Sequence, residues 1–316
     1  MAAAEHTVIP IICGPTASGK TSLALQYSQT HQVEIVSADS RQIIRRLDIG
    51  TAKPTPEELR MAPFHLVDII DPGERYSAYR FIVDASRAIG GILERGHIPL
   101  VVGGTGLYLR ALTDGVVEID SDDMAVREEL EEEVHRDGLP ALYEQLQRID
   151  PLEAAKTHPH NKKRILRALE IFRTTGKSKS ELVTTGTYKR GEYDFEYYCL
   201  APPRELLYER INNRVDEMMR TGLPGEVERL VAEGLQKDVR AANVIGYNEL
   251  LDFLDNRLSL EEAVSLIKQN TRRYAKRQMT WFRGQKDCRF FPDDASLKQA
   301  LSLPDVDQGR VEGEKT

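Results

Sequence analysis

Gly14-Pro-Thr-Ala-Ser-Gly-Lys-Thr21 is the stretch on which the fold turns. It satisfies the pattern G-x-x-x-x-G-K-[ST], in which glycines let backbone N–H groups point inward at a phosphate. Just before it, Thr7-Val-Ile-Pro-Ile-Ile-Cys13 is an apolar run of buried-strand length. Just after it, Thr21-Ser-Leu-Ala-Leu-Gln-Tyr-Ser28 carries apolar residues at helical spacing. Strand, glycine loop and helix in that order predict a phosphate cradle, to which the helix N-terminus adds partial positive charge. The expected diphosphate-binding residues are therefore Gly14, Pro15, Thr16, Ala17, Ser18, Gly19, Lys20 and Thr21. Lys20 would reach the distal phosphate, and the Thr21 hydroxyl would hold a magnesium ion, Mg2+. The motif specifies a di- or triphosphate and leaves open which one and what is done to it.

Further along, Val33-Glu-Ile-Val-Ser37 reads as a second strand that delivers Asp39 to its C-terminal end, the ligand side of a parallel sheet. Asp39 or Ser40 can cap a helix over Arg41 to Leu47. A carboxylate beside a phosphate site also suits work on a proton or a metal, and both readings stand. Asp48-Ile-Gly-Thr-Ala-Lys-Pro54 is a loop by its glycine and proline. His65 to Ile70 reads as a strand, Tyr79 to Leu93 as a helix, and Ile98 to Val102 as a strand running into Gly103-Gly104-Thr105. A kinase of this class offers an Asp for magnesium at such a strand end, and none stands here. Thr105 either meets a phosphate or caps the next helix.

The charge pattern then changes. Ser121 to Asp137 is dense in acids and predicts a solvated helix start or face. Lys156 to Arg190 holds ten basic residues against two acids, with Ile165, Leu166, Leu169 and Phe172 at helical spacing. That is a basic amphipathic helix and loop, either a solvated face or a binder of phosphate backbones. Phe195 to Ala201 reads as a return strand. In the helix from Arg204 to Met219, Arg210 and Arg214 share a face, with Asp216 and Glu217 or a bound pyrophosphate as counter-charge. Lys268 to Arg283 continues a helix from about Leu260, with like charges at Arg272/Lys276 and Arg273/Arg277 and with Tyr274, Trp281 and Phe282 between them. Aromatics among cations suit single-stranded or looped RNA, although the aromatics taken alone read as core. After Pro292 the tail reads as polar and frayed.

The net charge of −7, from 43 basic and 50 acidic side chains, argues against a generic nucleic-acid coat. Cys13, Cys199 and Cys288 stand far apart, which suggests reduced cytosolic thiols and neither a disulfide frame nor a zinc site. With no basic start at the N-terminus and no long apolar run, a cytoplasmic chain with no membrane partner is expected. The expected fold class is α/β: a P-loop NTPase-like parallel sheet flanked by helices. Residues 1–114 and 194–316 would form the core and 115–193 a helical insertion.

Together these pieces resemble the tRNA dimethylallyltransferases, also called tRNA isopentenyltransferases. The resemblance rests on Gly14 to Thr21, Ser37-Ala-Asp-Ser-Arg-Gln42, Asp48 to Pro54, Val102-Gly-Gly-Thr-Gly-Leu-Tyr108, Lys163-Arg-Ile-Leu-Arg-Ala-Leu-Glu170, Ile245-Gly-Tyr247 and Ala275-Lys-Arg-Gln-Met-Thr-Trp281. It implies transfer of a dimethylallyl group from dimethylallyl diphosphate to N6 of the adenosine next to a tRNA anticodon, with Mg2+ on the leaving pyrophosphate. By the same resemblance Asp39 accepts the N6 proton, and Thr105 and Arg214 hold pyrophosphate. The tRNA anticodon stem-loop would meet Asp39, Ser40, Arg41, Gln42, Lys163, Arg164, Ile165, Leu166, Arg167, Gly246, Tyr247, Arg272 and Lys276. Ile44, His160-Asn161, Asn243 and Asn248 depart from the family's usual residues, and the missing zinc finger implies the bacterial type. A monomer with no obligate protein partner is expected. The alternatives are prenylation of free AMP or ATP, a P-loop kinase, and a nucleotide-gated RNA binder without chemistry.

Overall fold

Short apolar runs, buried on both faces, pair side by side as a fully parallel sheet. The computed structural model describes residues 8–117, 124–185, 188–189 and 193–301. In chain order come β1 (Val8–Cys13), α1 (Lys20–Ser28), β2 (Val33–Ala38), α2 (Pro56–Met61), β3 (Phe64–His65), α3 (Ala78–Glu94), β4 (Ile98–Gly103) and α4 (Gly106–Asp114). There follow β5 (Val116–Val117), α5 (Met124–Ile149), α6 (Pro151–Ala155), α7 (Lys162–Thr175), α8 (Lys179–Thr185) and β6 (Tyr188–Lys189). The chain returns with β7 (Asp194–Leu200), α9 (Arg204–Arg220), α10 (Leu223–Ala232), α11 (Gln236–Ala242), α12 (Tyr247–Leu254), α13 (Leu260–Arg283), β8 (Arg289–Phe291) and α14 (Asp294–Ala300).

The sheet order is β3-β2-β4-β1-β7-β8. Cys13 lies beside both Gly103 and Cys199, and Ala38 lies beside Gly103. Because every strand runs the same way, the residues after β1, β2, β4 and β7 emerge along one edge. That edge carries Gly14, Asp39, Gly104 and Ala201. Capping fixes where the covering helices start: Ser77 accepts the Arg80 N–H for α3, and Ser259 with Glu262 forms a capping box for α13. The α3 stripe of Phe81, Ile82, Ala85, Ile89 and Ile92 is buried throughout.

The chain divides into residues 1–113 with 191–316, which hold the sheet, and residues 114–190. In the second unit α5 packs on α7 around Leu130, Leu142, Leu146, Ile165, Leu166 and Leu169. Gly138, at φ 82°, breaks α5 just ahead of Pro140. The acidic face is not simply solvated. Glu131 pairs with Lys162 at 2.5 Å and Glu133 with Arg173 at 2.7 Å, so acids of α5 neutralise cations of α7. Residues 121–123 of the acidic stretch and Arg190 of the basic one lie outside the described residues.

Several expected elements differ. No helix covers Arg41 to Leu47, which form turns instead, with a single bridge from Ile44 to Ile70. The strand expected over His65 to Ile70 stops at His65, because Leu66 (φ 62°) and Asp68 (φ 56°) take the left-handed conformation. The stretch after Pro292 does not fray at once. Asp293 caps α14 through the Ser296 N–H, and Leu297 is fully buried against the sheet. Residues 302–316 lie outside the described residues. The three cysteines, far apart in sequence, converge where β1, β7 and the approach to β8 adjoin.

One buried carboxylate ties the far side of the sheet together. Glu34 on β2 is 3% exposed. It accepts two bonds from the Arg95 guanidinium at 2.9 and 2.8 Å, one from His65 at 2.6 Å and one from His97 at 2.7 Å. The Arg95 fork holds its pKa down to about 2 against the opposing effect of burial, with both histidines helping. The folded value lies below the ordinary 4.5, so this stabilisation is complete above pH 4.5 and is lost as pH falls through about 2. Glu34→Gln is expected to cost roughly 1 kcal/mol at neutral pH, since charge-assisted bonds to the buried carboxylate become bonds to a neutral amide and the exposed partner is screened by water. Urea unfolding read across the acid range checks both the size and the shape of the effect.

Candidate active site

The phosphate loop is shaped by what cannot fit. Gly14 sits at φ 143°, and a Cβ there would stand 2.4 Å from the Leu200 carbonyl oxygen on β7. Gly19, at φ 105°, caps α1 without any side-chain acceptor, so the first N–H groups of α1 lack a side-chain cap. The Ser18 hydroxyl is buried without a hydrogen-bond partner among the described residues. Lys20 folds back and donates to the Pro15 carbonyl at 2.8 Å. Burial lowers its pKa to about 8, with Asp39 pulling it up and Arg214 pushing it down. Burial likewise lowers Arg214, against the pull of Asp39 and Glu58.

Lys20 and Arg214 line a cavity of about 400 Å³. With them stand Thr16, Thr21 and Asp39. The lining also includes Ile211, Val215, Met218, Val244, Ile245 and Ile267, with Asn243, Asn248, Asn270 and Thr271 from the same segments. A lining that combines buried cations with apolar side chains fits an anion that carries a short hydrocarbon. β4 ends in Gly103 and is followed by Gly104, so Asp39 is the carboxylate beside the phosphate loop; Glu249, the other carboxylate of the lining, accepts from the Gly246 N–H and Asn270. The Thr21 hydroxyl and Asp39 are hard oxygen donors of the kind Mg2+ takes, and that ion draws its remaining ligands from phosphate and water. The residues therefore fit Mg2+ with a bound diphosphate.

Asp39 is set by the turn that replaces the expected helix. Its Oδ1 accepts the Arg41 N–H at 2.8 Å and the Gln42 N–H at 3.4 Å. Among the described residues no hydrogen bond occupies Oδ2. Thr105 accepts the Ser40 N–H at 2.9 Å and donates to the Ser40 hydroxyl at 3.3 Å. It also meets the Tyr274 hydroxyl, and the cavity lining runs through Gly103 and not through Thr105. Thr105 thus braces the Asp39 turn. Arg41 donates to the Ala242 carbonyl at 2.7 Å, and the Gln42 amide joins Ser37 to Ala52.

The paired arginines divide their work. Arg210 donates to the Ser18 carbonyl of the loop at 3.1 Å, whereas Arg214 lines the cavity. Their expected partners are engaged elsewhere, Asp216 with Lys268 and Glu217 with Arg220.

Several residues expected at a tRNA surface lie inside. Ile165 and Leu166 are 0% and 1% exposed, because α7 turns its apolar stripe into the second unit's core. Tyr247 is fully buried and donates to Glu226 at 2.5 Å, while its ring covers Gly50. Gly246 is buried at the start of α12 with its N–H on Glu249. Glu226 also accepts the Asp48 and Ile49 N–H groups, so Tyr247 helps hold the Asp48 to Pro54 loop in place. Arg167 pairs with Glu170, and Arg164 donates to the Lys156 carbonyl. Lys163 and Lys276 are exposed, and Arg272 bonds Asn212 at 2.6 Å.

Sequence reasoning missed Gln278. Its Oε1 accepts the Thr16 N–H at 2.9 Å and its Nε2 donates to the Gly104 carbonyl at 2.9 Å, so one amide clamps the phosphate loop to the end of β4. Tyr274, Asn270 and Arg277 of the same helix line the cavity. The signal was their spacing by three and four residues, which puts one face of α13 on the site.

Comparison with known proteins adds the family. The IPP transferase family model matches residues 42–285, and the isopentenyl transferase model matches residues 7–66. A tRNA dimethylallyltransferase of Geobacter metallireducens is 47% identical over 279 residues, 88% of this chain and 90% of the relative. One from Syntrophobacter fumaroxidans is 44% identical over 309 residues, 96% of this chain and 90% of the relative. Among solved structures, the tRNA isopentenylpyrophosphate transferase of Bacillus halodurans is 40% identical, with a TM-score of 0.66 over 93% of this chain and 94% of that one. A eukaryotic dimethylallyltransferase solved acting on tRNA is 30% identical, with a TM-score of 0.78 over 92% and 75%.

The buried lysine yields a pH-dependent outcome. Lys20 binds its proton less tightly folded (about 8) than unfolded (10.5), so the free protein gains stability as pH rises across that window. A bound anion favours the charged form, so pyrophosphate binding should take up protons near pH 8. Calorimetry in buffers of different ionisation heat should show that uptake, and Lys20→Met should abolish the part that this lysine contributes.

Proposed function

The chain belongs to the IPP transferase family, and on that footing we propose that it transfers a dimethylallyl group from dimethylallyl diphosphate to N6 of the adenosine next to a tRNA anticodon, releasing pyrophosphate. The observation that carries this reading is the cavity lining, whose buried Lys20 and Arg214 suit a diphosphate and whose apolar side chains suit a five-carbon chain. The N-terminus of α1, Lys20 and Arg214 hold the diphosphate. Mg2+, when bound at Thr21, supplies charge neutralisation to the leaving group.

The reaction breaks one bond and makes one. The adenosine N6 lone pair forms the new bond to the first carbon of the chain. The carbon–oxygen bond to the diphosphate breaks, and its electron pair leaves on pyrophosphate. Asp39 Oδ2 takes the proton that N6 loses, while the Arg41 and Gln42 N–H groups keep that carboxylate in register. Lys20 and Arg214 meet the charge that grows on pyrophosphate, in a buried setting where such interactions are strong. The adenine reaches Asp39 only after leaving its stack, at a cost of roughly a few kcal/mol. Lys163 and Arg164 of the second unit, and Lys276 and Arg273 of α13, offer exposed charge for tRNA phosphates. Every residue invoked for the transfer comes from one chain, so the reading needs no second copy. Among the described residues no helix is long and apolar enough to cross a membrane, and the proposed place of action is the cytoplasm.

The test is mass spectrometry of adenosines after incubation with dimethylallyl diphosphate and Mg2+, with an unmodified anticodon stem-loop and AMP as competing acceptors. The stem-loop should gain the dimethylallyl mass while AMP stays untouched; product on AMP alone would overturn the tRNA assignment. Asp39→Ala should lose roughly 10²–10⁴ in rate while pyrophosphate binding persists. Replacing Lys163 and Arg164 together with alanine should weaken stem-loop binding and lower its log–log salt slope by about 0.7 for each phosphate that is no longer neutralised. Filter binding at several salt concentrations measures that change.

A further inference from the structure

The described residues hold one cluster of metal-type ligands, and the transfer reaction does not use it. The Sγ atoms of Cys13, Cys199 and Cys288 all lie within 4.8 Å of one another. The sheet puts them there: Cys13 and Cys199 are register partners on β1 and β7, and Cys288 immediately precedes β8, which pairs with β7. All three are unbridged. Cys13 and Cys199 are fully buried, whereas Cys288 is partly open to solvent.

We propose that these three cysteines form a thiolate site for a single thiophilic d10 cation, Zn2+ or Cu+, seated directly behind the phosphate loop. Zinc–thiolate bonds of about 2.3 Å set ligand sulfurs roughly 3.8 Å apart, so the observed trio closes on an ion with sub-ångström movement. A donor set of sulfur alone, without carboxylate or imidazole, selects soft cations over Mg2+ or Ca2+. Three thiolates fill a trigonal site for Cu+, or leave a fourth zinc position for water on the open Cys288 side. Binding replaces the thiol protons, which pass to solvent, and no electron is transferred. The ion would join the ends of β1 and β7 to the approach to β8. Because Cys13 adjoins Gly14, the phosphate loop would gain a fixed anchor on its sheet side. This assignment stands whether or not the prenyl transfer does.

The experiment uses the full chain without a metal-binding tag, reduced and free of oxygen. Co2+, as a spectroscopic stand-in for Zn2+, and separately Cu+ are titrated while sulfur-to-metal charge-transfer absorption and thermal midpoint are followed. A 1:1 end point with a raised midpoint is expected. Zn2+ should displace Co2+ in the zinc case, and Cu+ alone should saturate in the copper case. Cys288→Ser, at the open edge, should weaken binding by more than the roughly 10–100-fold that removal of an outer-shell partner costs. If that variant does not fold, slower alkylation of the wild-type thiols in the presence of metal serves in its place. No charge-transfer band with either ion, a band unchanged in Cys288→Ser, thiols alkylated equally fast with and without metal, or a disulfide among the three in protein that takes up no ion would each overturn the site.

Discussion

Lys20 and Arg214 place two cations in a cavity where Asp39 is the carboxylate beside the phosphate loop, and this mismatch is the constraint that the rest of the site answers. Burial disfavours both charges. In the free protein Lys20 borrows the Pro15 carbonyl, and the charge of Asp39 supports both cations. Neither interaction removes the excess positive charge; an anion does. The uncapped start of α1 and the orphaned Ser18 hydroxyl add donors with nothing to donate to. Such an arrangement is costly in an empty fold and favourable around a diphosphate. Folding stability and ligand affinity are thus two readings of the same electrostatics.

Holding such a site open requires a stiff frame, and α13 supplies much of it. Gln278 reaches both the phosphate loop and Gly104 with one amide. A Cβ at Gly104 would lie 2.4 Å from Gln278 Nε2, so a side chain there would displace the clamping amide. One turn on, the Trp281 ring occupies the space a Cβ would take at Gly106, again at 2.4 Å. The aromatics at the end of this helix, Trp281 and Phe282, therefore pack the helix onto the sheet edge. Tyr274 and Arg277 on its cavity side are left for ligand. One amphipathic helix, capped at Ser259, acts as both brace and wall.

Much of this was legible in the residues. The glycine loop between an apolar run and a helical pattern placed the cradle, and the parallel strands carried Asp39 to the same edge. What was not legible lay in packing between distant segments. Tyr247 in an Ile-Gly-Tyr stretch looked like an exposed reader of RNA, yet Gly50 has no side chain and leaves a slot that its ring fills. Ile165 and Leu166 sit in a strongly basic run, but helical spacing already divided that run into faces, and the apolar pair belonged to the inner one. Leu66 and Asp68 ended a strand whose apolar pattern continued, because left-handed backbone at non-glycine residues leaves little trace in composition. The three thiols were far apart in sequence for the same reason that they meet in space: parallel strands adjacent in a sheet are separated by whole crossovers.

The basic run shows how far charge counting carries. Its excess is large in sequence, but Lys162 and Arg173 are matched by Glu131 and Glu133, and Arg127 and Arg167 close on the buried Glu170. Pairs of this kind stabilise little at the surface, but they orient side chains and remove field. The charge left for a polyanion is a subset that includes Lys163 and Arg164 at the start of α7. Asn161 caps that helix there, and cations next to the positive end of a helix dipole oppose it. Lysine and arginine in such a place weaken the isolated helix and gain from an approaching phosphate. Placement against the dipole, more than the number of charges, decides which part of the basic run gains most from an approaching anion.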